Sequence, residues 1–391
     1  MFDTNKFAAD AALDSFLPRA GRDYAALRNS DEGPGARKNV SMLSPWVRLR
    51  VLPEWEICDR VLARHSRGQA AKFIDEVCWR TYWKGWLEGR PGVWANYLRE
   101  LDQDQAAHAE DANYQRVISS DSNIDCLDAW TRELQETGYL HNHARMWYAS
   151  IWVHTLQLPW TLGAAFFMQH LLDGDAASNT LGWRWVAGLH TQGKSYLASR
   201  GNIRKYSAQD FKVDVELAQE PAAVSDFAPK PAHRPIQPSP GLPKSGRIGL
   251  LVHDDDVSAA EWLGSQVPVA SVAAHLPESA YADHGISRRV VDFRRDCLRS
   301  TLPADGTFCG TEQAVYDWAK AADLQQVVMA RPFAGLWDEV TPALSRRLEA
   351  DSITLTTARH WWDEHFFPHA KAGFFRFKKA IPAALDQLQK N

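Results

Sequence analysis

Between residues 220 and 246 the chain reads EPAAVSDFAPKPAHRPIQPSPGLPKSG. Proline at this density cannot continue a helix or sit in a central strand, and the stretch holds too few large apolar residues to build a core. Residues 216–246 therefore read as an extended linker. It divides a chain of 391 residues, long enough for two full cores. On the N-terminal side, QAAKFIDEVCWRTYWKGWLE and DCLDAWTRELQETGYLHNHARMWYASIWVHTLQL carry apolar residues at helical spacing. Gly138 is expected to end one helix before the next begins, and Pro159 to stop the run. No alternation long enough for a sheet occurs there. On the C-terminal side the pattern changes. RIGLLVHDDD, VPVASVAAH, QQVVMA and SITLTT read as strands, and TEQAVYDWAKAADL and DEVTPALSRRLEAD as the helices between them. Apolar strands alternating with helices predict a parallel sheet covered on both faces. The expected fold is an all-α unit over 1–215, the linker, and an α/β unit over 247–391.

Composition narrows the function classes. A net charge of −4 argues against a chain coated in basic residues to hold nucleic acid, though not against a local basic groove. The five cysteines, Cys58, Cys78, Cys126, Cys297 and Cys309, form no C-x-x-C pair. That pattern predicts reduced thiols in a cytoplasmic protein and no cysteine-ligated iron–sulfur cluster. No signal peptide opens the sequence, and no run of about 18 apolar residues could cross a bilayer. His360, His365 and His369 lack diagnostic ligand spacing, so no metal site is expected. The glycine-rich dinucleotide fingerprint is missing after the first strand, where HDDD stands instead; a standard NAD site is not supported. The unusual number is 17 tryptophans, most of them before residue 190, which as a group suggest an aromatic cavity or stacking platform.

Residues 171–185, LLDGDAASNTLGWRW, sharpen that suggestion. Buried carboxylates are costly unless paired, and a surface loop has little use for two indoles. Asp173, Asp175 and Asn179 beside Trp183 and Trp185 ask for a partner that is large, aromatic and polar. SMLSP (41–45) offers the Ser41 and Ser44 hydroxyls and turn amides that suit a pyrophosphate.

DGDAASNTLGWRW resembles the flavin-binding signature of the DNA photolyase and cryptochrome superfamily. YAALRNSDEGPGARKNVSMLSPWVRLR (24–50), EVCWRTYWKGWL (76–87) and LQETGYLHNHARMWYAS (134–150) match further blocks of that family in order, and together they cover most of residues 1–207. The resemblance implies a helical FAD-binding domain. It assigns FAD contacts to Tyr24, Ser41, Leu43, Ser44, Phe73, Arg80, Asn142, Arg145, Asp173, Asp175 and Asn179. Arg145 and Asp173 would form an ion pair against the isoalloxazine, and Asn179 would face flavin N5. Val40 stands where the family usually has threonine. Trp183, Trp160 and Trp94 match the chain of indoles that carries an electron from the surface to photoexcited oxidised flavin.

The same resemblance implies a substrate. Family enzymes flip a cyclobutane pyrimidine dimer out of DNA into an aromatic cavity above the flavin, and Glu76, Trp79, Asn142, Met146 and Trp185 match its lining. Asn142 and Met146 stand where (6-4) enzymes carry a histidine pair, and His143 replaces an arginine of the common bacterial block. The segment after the tryptophan pair departs further: Gln192 and Ala198 replace an aspartate and a phosphate-binding arginine. Lys194, Arg200, Arg204 and Lys205 are candidate substitutes. Photolyases begin with an α/β antenna domain, whereas here the helical part comes first, as in a circular permutation; the C-terminal part would be a Rossmann-like, antenna-like domain. The aromatic tail RHWWDEHFFPHAKAGFFRFKKAI resembles the antenna segment that leads toward the flavin half. The leading reading is a light-driven dimer-repairing lyase with FAD as cofactor and damaged DNA as partner. The rival is a cryptochrome-like photoreceptor that signals to a protein partner, and a plain flavin electron carrier ranks last. The antenna chromophore and oligomeric state stay open.

Overall fold

The computed structural model of the chain describes every residue except 1, 192, 214 and 391. Helices fill the first half, from Lys6–Phe16 to Arg200–Tyr206, and a parallel sheet with its helices occupies the second. The strands are β1 (Ile248–His253), β2 (Val269–His275), β3 (Thr307–Cys309), β4 (Gln326–Ala330) and β5 (Thr354–Ala358). Their spatial order is β3-β2-β1-β4-β5, every pair parallel. β1 is central and buried at every position, as its unbroken apolar run requires. The four strands read from sequence are present; β3, at three residues, was too short to show a period.

In the helical half, Arg67–Glu88 starts at a capping box between Ser66 and Gln69, which satisfies two backbone donors at once. Asp125–Thr137 ends where Gly138 takes φ 69°, a left-handed stop that glycine adopts without strain. The helix Asn142–Ser150 then runs into a π-helical turn, Ile151–Thr155, and Pro159 caps the next helix, Trp160–His170. Among the described residues of 208–247 there is neither helix nor strand. They do not hang free: Asp226 pairs with Arg184, the Ala222 amide donates to His154 Nδ1, and Ser239 donates to Glu364. The segment expected to be an extended linker is held to both halves by these bonds.

The two halves meet over a buried charge network. Arg48 pairs with Asp255 at 2.8 Å. Arg50 pairs with Glu54 (3.1 Å), Asp256 (2.8 Å) and Asp363 (2.6 Å). Arg294 reaches Asp254 at 3.2 Å, and Trp337 Nε1 donates to the same carboxylate at 3.1 Å. The HDDD run after β1 is thus the α/β half's contribution to the interface. Aromatic packing continues it. Trp362 Nε1 donates to Thr81 (3.0 Å) on the long helix, and a Cβ on Gly85 would lie 2.8 Å from the Phe367 ring, so only glycine lets the C-terminal segment approach so closely. Arg50→Ala should leave three carboxylates buried without their cation. Loss of one partner of a buried pair costs about 3–5 kcal/mol, and urea unfolding should show a lower midpoint at unchanged slope.

Candidate active site

A cavity of about 650 Å³ opens in the helical half, within the range of roughly 300–1,000 Å³ usual for ligand pockets. Asp173 and Gly174 of the DGD stretch form its floor. Asp173 is 3% exposed, and its Oδ2 accepts from Arg145 Nη1 (3.0 Å) and Arg80 Nη2 (3.3 Å). Burial alone would raise this carboxyl, but Arg145 and Arg80 outweigh it and hold it below the ordinary carboxylate value. Asp173 Oδ1 has no partner. Three more buried polar atoms of cavity-lining residues are equally orphaned: Ser178 Oγ, His141 Nε2 and Trp183 Nε1. Native proteins rarely leave such atoms unsatisfied, which marks the residues around this cavity as a candidate ligand site.

Backbone geometry serves the same wall. Asp175 Oδ1 caps the helix Ala176–Val186 by accepting from the Ser178 amide at 2.7 Å. Its other oxygen holds Arg80. Asp175 thereby orients the site without lining it. Asn179 is fixed by a 2.8 Å bond from Nδ2 to the Ala164 carbonyl. Met42 in the SMLSP turn has φ 53°, a left-handed conformation uncommon for a non-glycine residue and one that gathers at functional sites.

Of the residues singled out from sequence, Tyr24, Ser41, Leu43, Ser44, Phe73, Glu76, Trp79, Arg80, Asn142, Arg145, Met146, Asp173, Asn179, Trp183 and Trp185 line this one cavity. Glu76 is paired with Arg28 (3.1 Å) and Lys72 (2.9 Å). Trp185 stacks on Tyr196 at 5.8 Å. Trp160 and Trp94 lie elsewhere. Both are buried, and both pack on Tyr97, at 5.5 and 5.1 Å. Tyr97 is an aromatic residue the sequence reading did not place between them. Trp183 finds its ring neighbours in Phe167 (5.0 Å), Trp152 (6.0 Å) and Tyr148 (6.4 Å). None of Lys194, Arg200, Arg204 and Lys205 lines the cavity, and Gln192 falls outside the described residues. Ala198 is buried, its amide bonded to Ser150 Oγ at 2.8 Å.

Sequence reasoning missed one wall. Trp79 stacks face to face on Phe374, with ring centroids 3.9 Å apart and planes 9° apart. The next residue, Phe375, lines the cavity while 86% exposed. Phe375, Arg376, Lys378 and Lys379 are exposed, while Phe374 and Phe377 are buried. The FFRFKK run in the aromatic tail carried the signal, but only the fold brings it to this mouth. Among the described residues no cluster of His, Cys, Asp and Glu could hold a metal ion, and no helix is long and apolar enough to cross a membrane.

Residues 73–218 match the family model for the FAD binding domain of DNA photolyase. A deoxyribodipyrimidine photo-lyase of Thermus thermophilus is 34% identical over 194 residues, covering 48% of this chain and 44% of that protein. One from a Synechococcus species is 32% identical over 187 residues, 46% of this chain and 38% of the other. A cryptochrome DASH of Natronomonas pharaonis is 28% identical over 254 residues, 60% and 50% of the two chains. The chain spans half or less of the length of these relatives.

Two glycines test how tightly the wall is packed. A Cβ on Gly163 would fall 2.2 Å from Trp183 Cη2, whereas one on Gly182, also in a helix, would meet nothing. Gly163→Ala should cost about 1–3 kcal/mol through overpacking. Gly182→Ala should be neutral or stabilise by roughly 0.5–1 kcal/mol. Urea unfolding of the two variants checks the contrast.

Proposed function

We propose, from the premise that the helical half of this chain belongs to the DNA photolyase and cryptochrome superfamily, that the protein binds FAD in this cavity and uses light to split cyclobutane pyrimidine dimers in DNA. The observation that carries the reading is Asp173: two arginines hold one carboxylate oxygen on the cavity floor, and the other oxygen is left without a partner. That free acceptor suits a ring N–H. Arg145 and Arg80 place positive charge beside it, which favours an electron-rich ring system over an oxidised one. The orphaned Ser178 hydroxyl and Trp183 indole supply further polar contacts, and the SMLSP turn suits a pyrophosphate. FAD bound there supplies the photoexcitable one-electron chemistry.

The protein's own residues then hold the substrate. Trp79 and Trp185 give two aromatic walls for a flipped dimer, and Asn142 and Met146 lie on the helix between them in sequence. Glu76 offers an acceptor anchored by Arg28 and Lys72. Phe375 stands exposed at the mouth, beside Arg376 and Lys379, while Lys378 is paired with Asp75. An aromatic ring among cations is a stacking platform for unpaired bases next to phosphate contacts, and it offers the phosphate binding that Ala198 lacks.

FAD should copurify, or bind on incubation, and flavin absorbance reports it. Illumination of the reduced, FAD-loaded protein with a dimer-containing oligonucleotide should restore thymine absorbance. If FAD binds and no dimer is split, the cryptochrome-like reading takes its place. Trp79→Ala and Phe375→Ala should each weaken binding of damaged DNA about tenfold, the worth of roughly 1–3 kcal/mol per stacked base, with FAD binding kept. Trp183→Phe should retain FAD yet slow or abolish photoreduction of its oxidised form.

A further inference from the structure

The indoles that the resemblance assigns to electron transfer differ at their nitrogen atoms. Trp183 Nε1 and Trp94 Nε1 are buried without any partner. Trp160 Nε1 donates to Glu100 Oε1 at 3.2 Å. Trp160 itself is 2% exposed, whereas Glu100, on the helix Gly92–His108, is only half-buried. Its carboxylate therefore links a buried indole N–H to the surface. Trp183 rests on Gly163, one turn beyond Trp160 on the same helix, so the two indoles pack on one helix face. The Arg184 guanidinium sits 5.5 Å over the Trp160 ring.

An indole that loses an electron becomes a cation whose N–H is strongly acidic. At Trp160 that cation would be buried, which is costly, and would face Arg184, which repels it. Both effects push the proton off, and an acceptor already stands at hydrogen-bonding distance. Resting on the light-driven reading above, we infer that Glu100 is the proton acceptor for oxidised Trp160.

The step balances as follows in electrons and protons. With a photoexcited flavin bound in the cavity, Trp183 would supply it with one electron and Trp160 would refill Trp183. The Trp160 Nε1–H bond breaks and the proton bonds to Glu100 Oε1. Trp160 would end as a neutral radical and Glu100 as a neutral acid, one electron having passed to the bound flavin. An added thiolate later returns an electron to Trp160 while Glu100 returns the proton.

The charged groups facing Glu100 set its working range. Asp104 lies one turn along the same helix, bonded to Thr161; Arg184 and Asp226 face it as an ion pair from the other side. Burial, above all, raises the Glu100 carboxyl to about 7, against the bond from Trp160 and the pull of Arg184. Above that pH Glu100 is ionised and can accept the proton; below it, Glu100 is already protonated and cannot.

Flash photolysis of FAD-loaded protein tests the assignment, because neutral and cationic indole radicals have distinct absorption bands. Wild type should give a neutral-radical yield that rises severalfold as pH increases through about 7. Glu100→Gln keeps an acceptor for the Trp160 N–H bond but cannot take a proton. It should show the cationic radical at every pH and recombine severalfold faster. Light-minus-dark infrared spectra should contain a carboxylic acid C=O band in wild type and lack it in Glu100→Gln. A neutral radical of the same yield and pH dependence in both proteins overturns the role of Glu100 alone. If Trp160→Phe photoreduces like wild type, the electron does not pass Trp160, and the relay reading falls together with the proposal.

Discussion

The Gly174 carbonyl accepts hydrogen bonds from Arg48 Nε at 3.0 Å and Arg294 Nη2 at 2.7 Å, and the site depends on this clamp. Gly174 separates Asp173 from Asp175, so the clamp fixes the peptide that presents one carboxylate to the cavity and turns the next into a helix cap. Arg48 comes from the helical half and Arg294 from the α/β half, and both also engage Asp254. Burying such charges is expensive, and their mutual attraction offsets the cost only where hydrogen bonds satisfy the remaining atoms. Here most are satisfied. Asp254 accepts from Tyr281, Arg294 and Trp337, and Asp255 from Arg48 and the Phe333 amide. The network gives little net stability relative to an apolar interface. What it supplies is a fixed geometry at the cavity floor.

One cation in the interface is left out. Lys84 is 1% exposed, its ammonium lies 3.7 Å from the centre of the Phe333 ring, and among the described residues no acceptor reaches it. Burial lowers it to about 8, with Glu54 opposing the shift. A lone buried ammonium costs more than a paired one, so the surrounding carboxylates and the ring face must hold it by field rather than by contact. Raising pH through about 8 would discharge Lys84. Because its folded value lies below that of the exposed side chain, the penalty for charging it is present at lower pH and fades as pH rises.

Most of the cavity was legible in the sequence because its parts are short and local. DGDAASNTLGWRW folds as a turn and a helix whose cap, Asp175, lies within the motif, and the SMLSP turn is complete in five residues. The parallel sheet was legible for the same reason, each strand carrying its own apolar run. What stayed hidden rests on contacts between distant segments. HDDD could be read only as a missing dinucleotide fingerprint, because its partners Arg48 and Arg50 lie some 200 residues earlier. Phe374 and Phe375 read as an aromatic tail until the fold stacked them on Trp79. Tyr97 had no signal either; only packing sets it between Trp160 and Trp94.

Those distant contacts also explain why the helical half can precede the sheet. Gly335, with φ 144°, comes so close to the other half that an added Cβ would lie 2.5 Å from Ala176 Cβ. The loop after β4 thus abuts the first residue of the helix that carries Asn179 and Trp183. The interface is made by side chains and backbone at fixed places in space: Arg48, Gly174, Asp254, Ala176 and Gly335. Nothing in it requires β1 to come before or after the helices along the chain. It requires only that the connection be long enough and able to lie on the surface without a core of its own. The proline-rich stretch meets both conditions. Its anchors at Arg184, His154 and Glu364 replace the free movement of a coil with a defined path. The segment that first marks the chain as two parts is therefore also what lets the second part clamp the cavity floor of the first.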